Sequence, residues 1–430
     1  MGNFISLGQY NKLYKYIWIY LGIRFVYQFI FDYELVFDQL YNEPISLPYS
    51  PFISMQLFYI TFIIVSLIIK LIQKKINKND VNLILEVDEP LIFNKSDIVL
   101  QFGTSHTDYF LFVNLYFVVV TDLLDEIFYQ FNLRIMNYWM FEMLFFELMN
   151  SRIQKIKIYK HHIFSFIFIL CFCSIIKTIS IILSFLNNTK NVQMFNDRKF
   201  LIPVGLSFYL LMQLFKAYIF CNEKYYLEKR YISIINYMFF YGLFGFLTST
   251  LCAVLSSFIP CGDNSLNDFF KTVCAYEDKD IYYFDNYKIF FKELAKSYLG
   301  LRIFLLIFQC GLYYSSNYYI YVIYKKLSPI YHICMKRFNY LILDSLVFIN
   351  DLVNQNIQGF SLVLSIFDIL LLIFFVLGSV IYLEFFELNF CELNFYMRKR
   401  IKERSKKEIS FSLDNISSES ENSSSLGIID

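Results

Sequence analysis

Residues 200–259 read FLIPVGLSFYLLMQLFKAYIFCNEKYYLEKRYISIINYMFFYGLFGFLTSTLCAVLSSFI. Two apolar runs flank a short charged segment, EKYYLEKRY. The first run carries one charge, Lys216, and the second carries none. About 20 mostly apolar residues cross a bilayer core of about 30 Å. The charged segment is too short to be a domain, so the stretch predicts a transmembrane hairpin that turns there. Gly242 and Gly245 recur at helical spacing within FFYGLFG. Small residues at that spacing let membrane helices approach closely, so the two glycines predict a packing seam.

The rest of the chain has the same character. Of 430 residues, 57% are hydrophobic and 17% charged, against about 25% charged in soluble proteins. Apolar runs near span length recur, which predicts an all-α, polytopic integral membrane protein. A net charge of +1 gives no global basic signature for nucleic acid. The 51 Phe and 36 Tyr accompany many Ile, Asn and Lys, the pattern of an A/T-rich coding bias. The aromatics alone therefore do not indicate a binding platform. The nine cysteines form no CxxC pair. Those inside apolar runs (Cys171, Cys173, Cys221, Cys252, Cys310 and Cys334) read as small hydrophobes. The opening MGNFIS fits the myristoylation pattern, with Gly2 as the acceptor.

In chain order, spans are predicted at 12–31, 52–73, 107–129, 134–151 and 162–186. The opening hairpin follows, then spans at 298–323, 329–350 and 361–385. This gives about ten helices in two five-helix halves, 1–186 and 200–390, joined by a polar loop at 187–199. The second half contains a loop at 260–290. Residues 391–430 form a tail, first basic and then Ser-rich, with too little apolar surface to fold.

Loop charges test the count. With both termini inside, inner loops hold Lys74, Lys75 and Lys78; Arg152, Lys155, Lys157 and Lys160; Lys224, Lys229 and Arg230; Lys325 and Lys326; and the RKRIKER tail. Outer loops are poor in Lys and Arg, and in 260–290 acids outnumber lysines. Excess Lys and Arg on the cytoplasmic side is the general rule. The same orientation puts Cys261 and Cys274 on the outer or lumenal side, where they could pair. It also exposes Asn187, which opens an NNT sequon, to glycosylation.

The charged segment followed by FYGLFG resembles the middle of drug/metabolite transporter superfamily proteins. The nearer branch is the nucleotide-sugar-transporter-like solute carriers. The resemblance covers roughly 216–250. It implies ten helices in two five-helix halves around a central cavity. Ser328-Pro329, followed about ten residues later by Phe338-Asn339, resembles the SP…LNK stretch of nucleotide-sugar carriers. Tyr340 stands where those carriers have Lys. Lys336, one turn earlier, shares its helix face.

Ionisable residues inside spans are costly and face a cavity or a partner. Arg24, Asp122, Asp125, Glu126, Glu142, Glu147, Lys177, Lys216, Arg302, Lys336, Arg337, Asp344 and Asp368 all fall within predicted spans. The candidate substrate-binding residues are Lys216, Lys336, Arg337, Tyr340, Asp122 and Glu142. Lys336 and Arg337 read either as a cationic wall for an anionic substrate or as side chains reaching the interface. Asp122 and Glu126 share a helix face and would pair with Lys177 or Lys216 or relay protons.

His161 and His162 lie in a basic turn without HExxH or another His cluster. No enzymatic constellation, cofactor or metal site is therefore expected. The leading expectation is a secondary carrier of a small polar or anionic metabolite, with nucleotide sugars included, working by alternating access. The alternative is a non-transporting membrane scaffold of the same fold. The partners implied are the lipid bilayer and a small-molecule substrate, with a homodimer as a further option. An endomembrane such as the Golgi or ER fits, and the plasma membrane stays open.

Overall fold

The computed structural model describes residues 5–7, 14–28, 50–79, 106–130, 140–153, 158–186, 201–229, 232–260, 262–263, 274, 276–278, 281–295, 299–353 and 359–388. Gly2, Asn187, Cys261 and 391–430 lie outside them. Cys274 is disulfide-bonded; Cys261, the partner expected from the sequence, is not among the described residues.

The helices are α1 (Tyr14–Tyr27), α2 (Pro51–Asn79), α3 (His106–Gln130), α4 (Met140–Ile153), α5 (Lys160–Leu186), α6 (Leu201–Lys224), α7 (Ile234–Phe258), α8 (Tyr287–Leu294), α9 (Leu299–Lys326), α10 (Pro329–Val353) and α11 (Phe360–Tyr382). Each stretch read as a span is occupied by a helix, and α8 is an addition within the 260–290 loop. That loop also holds a small antiparallel sheet, with β4 (Ile281–Tyr283) between β2 (Gly262–Asp263) and β3 (Tyr276–Asp278). Near the chain's two ends, β1 (Ile5–Leu7) pairs antiparallel with β5 (Phe386–Leu388). The charged segment of the opening stretch is not a simple turn. α6 continues through Glu223 and Lys224, and a π-turn runs from Tyr225 to Lys229.

Among the described residues five helices, α2, α5, α7, α9 and α11, are long and apolar enough to cross a membrane. Only 22–33% of each apolar window is buried inside the protein. The remainder is half-buried or exposed, with Leu71, Ile175, Leu251 and Ile307 among the exposed residues. Outward apolar surface on that scale needs lipid, so the chain is a helical integral membrane protein. Among the described residues α1 and α4 are 14 residues each, about 21 Å at 1.5 Å per residue.

Helix contacts follow a rule. Let α1, α2, α3, α4 and α5 correspond to α6, α7, α9, α10 and α11. The pairs α2–α7, α5–α11 and α4–α10 then map onto themselves. The contact α1–α9 answers to α3–α6, α4–α6 to α1–α10, α10–α11 to α4–α5, α3–α7 to α2–α9, and α7–α9 to α2–α3. Among the described residues, α6–α9, α6–α10 and α9–α10 are closer than their counterparts.

The two broadest seams are α2–α7 and α5–α11. In the first, Tyr59 and Phe62 occupy the space that side chains at Gly245 and Gly242 would fill. A Cβ at Gly242 would stand 2.8 Å from both Phe62 Cβ and Tyr59 O, and one at Gly245 would overlap the Tyr59 ring. Gln56 Nε2 donates to Thr250 Oγ1 at 2.7 Å. In the second seam, Ile169 fills the space beside Gly378. Ser165 Oγ donates to the Gly378 carbonyl at 2.6 Å, and Cys173 Sγ lies 3.5 Å from the Leu371 carbonyl. In both seams residue numbers rise on one helix as they fall on the other, so the helices run antiparallel.

Each seam organises an apolar core. One gathers Phe166, Ile169 and Phe375 with Ile17, Phe146 and Ile333. The other gathers Tyr59, Phe62 and Met238 with Leu115, Val119 and Phe290. Outside the spans, buried Asp285 finishes the start of α2. Its carboxylate accepts from the Phe52 N–H at 2.9 Å, the Ile53 N–H at 3.2 Å and Ser50 Oγ at 2.7 Å. A helix leaves its first N–H groups without intrahelical partners, and a carboxylate there satisfies them.

Candidate functional site

A cavity of about 210 Å³ opens where the two cores meet. Its walls come from α1, α3, α4, α6, α7, α9 and α10. Its acids are Asp122 and Asp125 on α3, Glu142 on α4 and Glu223 on α6. Its bases are Arg24 on α1, Lys216 on α6 and Lys336 on α10. Tyr20, Tyr241, Tyr313, Tyr321 and Tyr324 add phenol groups, and His332 an imidazole.

Some of these charges neutralise one another. Lys216 Nζ lies 2.8 Å from Asp125 Oδ2. Glu142 receives Arg337 Nη2 at 3.2 Å, and the Arg337 guanidinium lies 5.7 Å from the centre of the Tyr340 ring. Others have only phenols. The Tyr241 hydroxyl donates to Asp122, and the Tyr237 hydroxyl donates to Glu223 Oε1 at 2.9 Å. Tyr324 Oη meets His332 Nδ1 at 2.9 Å. Among the described residues Lys336 has no ion-pair or hydrogen-bond partner, and neither Asp122 nor Glu223 has a cation within ion-pair distance. The cavity thus presents two carboxylates and an ammonium that have no ion-pair partner among the described residues.

The structure brings the six candidate residues to one place, in different roles. Lys216, Lys336, Asp122 and Glu142 line the cavity. Arg337 is turned to Glu142, with Tyr340 beside it, so the paired cationic wall read at 336–337 is divided. Neighbouring residues point about 100° apart around a helix of 3.6 residues per turn, so one of the two faces the cavity and the other the α4 acid. Lys216 pairs with Asp125 rather than Asp122. Lys177 and Asp368 lie on the α5–α11 pair, outside the cavity lining. The Glu126 side chain is not among the described residues.

Sequence reasoning missed Glu223 and the phenols. Glu223 sits seven residues after Lys216, two helical turns along the same face. Its place in the charged segment EKYYLEKRY reads as part of a turn, which hides that spacing. No protein-family model matches the chain, and no curated protein matches it.

Proposed function

We propose that this protein is a secondary carrier that moves a small polar metabolite across a membrane by alternating access. The supporting observation is the charged cavity, sited where two corresponding sets of five helices meet. If all ten long helices cross the membrane, each set contains an odd number of spans. The sets are then inverted relative to one another, and carriers of that design bind substrate at the repeat interface. The reading includes ten spans and cytosolic termini, in line with the loop charges, and an endomembrane location, in line with the cysteines expected on the outer or lumenal side. It shares its architecture with the drug/metabolite transporters that residues 216–250 resemble.

A volume of about 210 Å³ falls below the roughly 300–1,000 Å³ of drug-sized sites. It favours a compact solute over a nucleotide sugar. Unpaired groups of both signs favour a solute that carries both an anionic group for Lys336 and a donor group for Asp122 or Glu223. The internal pairs Lys216–Asp125 and Arg337–Glu142 are what a scaffold of this fold would also contain, which keeps that second reading in view.

Detergent-purified protein is screened by thermal shift against amino acids, nucleoside monophosphates, phosphorylated metabolites and nucleotide sugars. A ligand at 100 times its Kd adds about 2.7 kcal/mol of stability. The expected result is a shift with one compact class, lost in Lys336→Ala, and uptake of that class by proteoliposomes. A shift that survives Lys336→Ala moves the site elsewhere. No shift with any class, in monodisperse folded protein, leaves the scaffold.

A further inference from the structure

The geometry points to a zinc-class metal site where α5 begins and α11 ends, formed by His161, His162 and Glu384. The inference does not rest on the carrier reading. None of the three residues lines the cavity.

His161 and His162 occupy the first turn of α5, and Glu384 lies two residues beyond α11. One potential ligand atom from each comes within 4.8 Å of the other two. His161 is fully buried, yet neither of its ring nitrogens makes a hydrogen bond, and His162 Nδ1 makes none either. Buried polar groups are nearly always bonded, so the two unsatisfied nitrogens of fully buried His161 call for a ligand, while His162 Nδ1 faces the Glu147 carboxylate and leaves Nε2 for an ion. His161 Nε2 faces Glu384 Oε1 at 3.5 Å.

The backbone provides a second, independent observation. Glu384 has φ of 61°, the left-handed region that a side-chain-bearing residue enters at a cost of about 1–3 kcal/mol. Among the described residues it is the non-glycine residue with positive φ. That conformation delivers its carboxylate to the two imidazoles. A supporting layer is also present. Glu147 Oε1 stands 3.6 Å from His162 Nδ1, and its Oε2 accepts from Tyr382 Oη at 2.8 Å. The Tyr382 ring stacks on His162 with centroids 4.3 Å apart. Metal-binding imidazoles are commonly held by such an outer carboxylate.

Two imidazoles and a carboxylate are a zinc ligand set with a fourth position left for water. Magnesium and calcium prefer oxygen ligands. Zinc bonds of 2.0–2.1 Å imply ligand separations of about 3.4 Å, so the side chains close in on the ion by rotation. A bound ion would tie the start of α5 to the exit of α11 and brace that seam.

The test uses full-length protein carrying no polyhistidine tag, stripped with EDTA and then equilibrated with Zn²⁺. Metal retained after gel filtration is measured by mass spectrometry, and the melting temperature is followed with Zn²⁺ and with Mg²⁺. The expected result is one zinc per chain and a rise in Tm with Zn²⁺ alone. His161→Ala/His162→Ala abolishes both, and Glu147→Gln weakens zinc binding about 10–100-fold. His162→Gln serves if the double variant does not fold. Co²⁺ substitution gives a nitrogen–oxygen spectrum without thiolate charge-transfer bands. Substoichiometric zinc in folded wild-type protein, or stoichiometric zinc unaffected by the histidine substitutions, overturns the proposal.

Discussion

The seam helices and the cavity helices solve opposite problems. α2, α7, α5 and α11 are predominantly apolar, pack as antiparallel pairs and reach close approach through Gly242, Gly245 and Gly378. The cavity's charges come from α1, α3, α4, α6 and α10: Arg24, Asp122, Asp125, Glu142, Lys216, Glu223 and Lys336. Among the described residues α1 and α4 are shorter than a span, and α3, α6 and α10 also fall outside the group long and apolar enough to cross a membrane. α9 belongs to that group and gives the cavity only neutral residues such as Tyr313, Ser316 and Asn317. The cavity's charges therefore set those five helices apart, because each gives one face to them. The seams hold the molecule through shape, and the cavity holds through paired charge.

That contrast can be broken from either side. The largest effect is expected in the cavity wall. Arg337→Met strands Glu142 as a buried, unpaired charge, at a cost of about 3–5 kcal/mol. The double variant Arg337→Met/Glu142→Gln recovers most of it, as measured by thermal unfolding in detergent. A double variant as unstable as the single would show that the pair's charges are not what matters there.

The seams respond to volume. Gly245→Ala forces the Tyr59 ring aside and costs about 1–3 kcal/mol, the range for overpacking. Tyr59→Leu in the same chain relieves it. Gly378→Ala meets Ile169 Cγ1, on a side chain stiff at χ1, and costs a similar amount. Equal losses at the two glycines would mean that both seams are equally rigid.

The smallest effect lies outside the spans. Burial raises the Asp285 carboxyl above its usual range, against the four hydrogen bonds that favour its charged form. A carboxyl raised in the folded state binds more protons there than in the unfolded chain. Its contribution to stability is thus fully present at low pH and declines as pH rises through the raised value. Asp285→Asn should flatten that part of the pH profile, read as Tm between pH 4 and 7. An unchanged profile would exclude Asp285 as its source.

Much of the helical layout was legible, for a physical reason. Apolar runs and loop charge are local signals, and every predicted span falls on a helix. The Gly242 and Gly245 seam followed from spacing alone. The site was legible in part. Lys216, Lys336, Asp122 and Glu142 stood out as charges in apolar surroundings, because their cost is a property of the local sequence. Tyr241, Tyr321 and Tyr324 did not, since a chain with 36 tyrosines offers no contrast. Nor did the Arg337–Glu142 pair, whose members lie 195 positions apart. His161 and His162 carry no HExxH pattern or further His cluster, and Glu384, more than 220 positions later, gives no local signal. Long-range pairings of this kind depend on how helices are arranged, which no local pattern encodes.

The carboxylate that completes the first turn of α2 belongs to residue 285, 235 positions after Ser50. Ribosomes add about 5–20 residues each second, so the start of α2 waits roughly ten to fifty seconds for its partner. In that interval α3, α4, α5, α6 and α7 must all be made, and α7 must settle beside α2. The Asp285 contact closes only on a chain whose intervening helices have been laid down in order. It thus acts as a late checkpoint in biogenesis, recording that the α2–α7 pair has come together correctly.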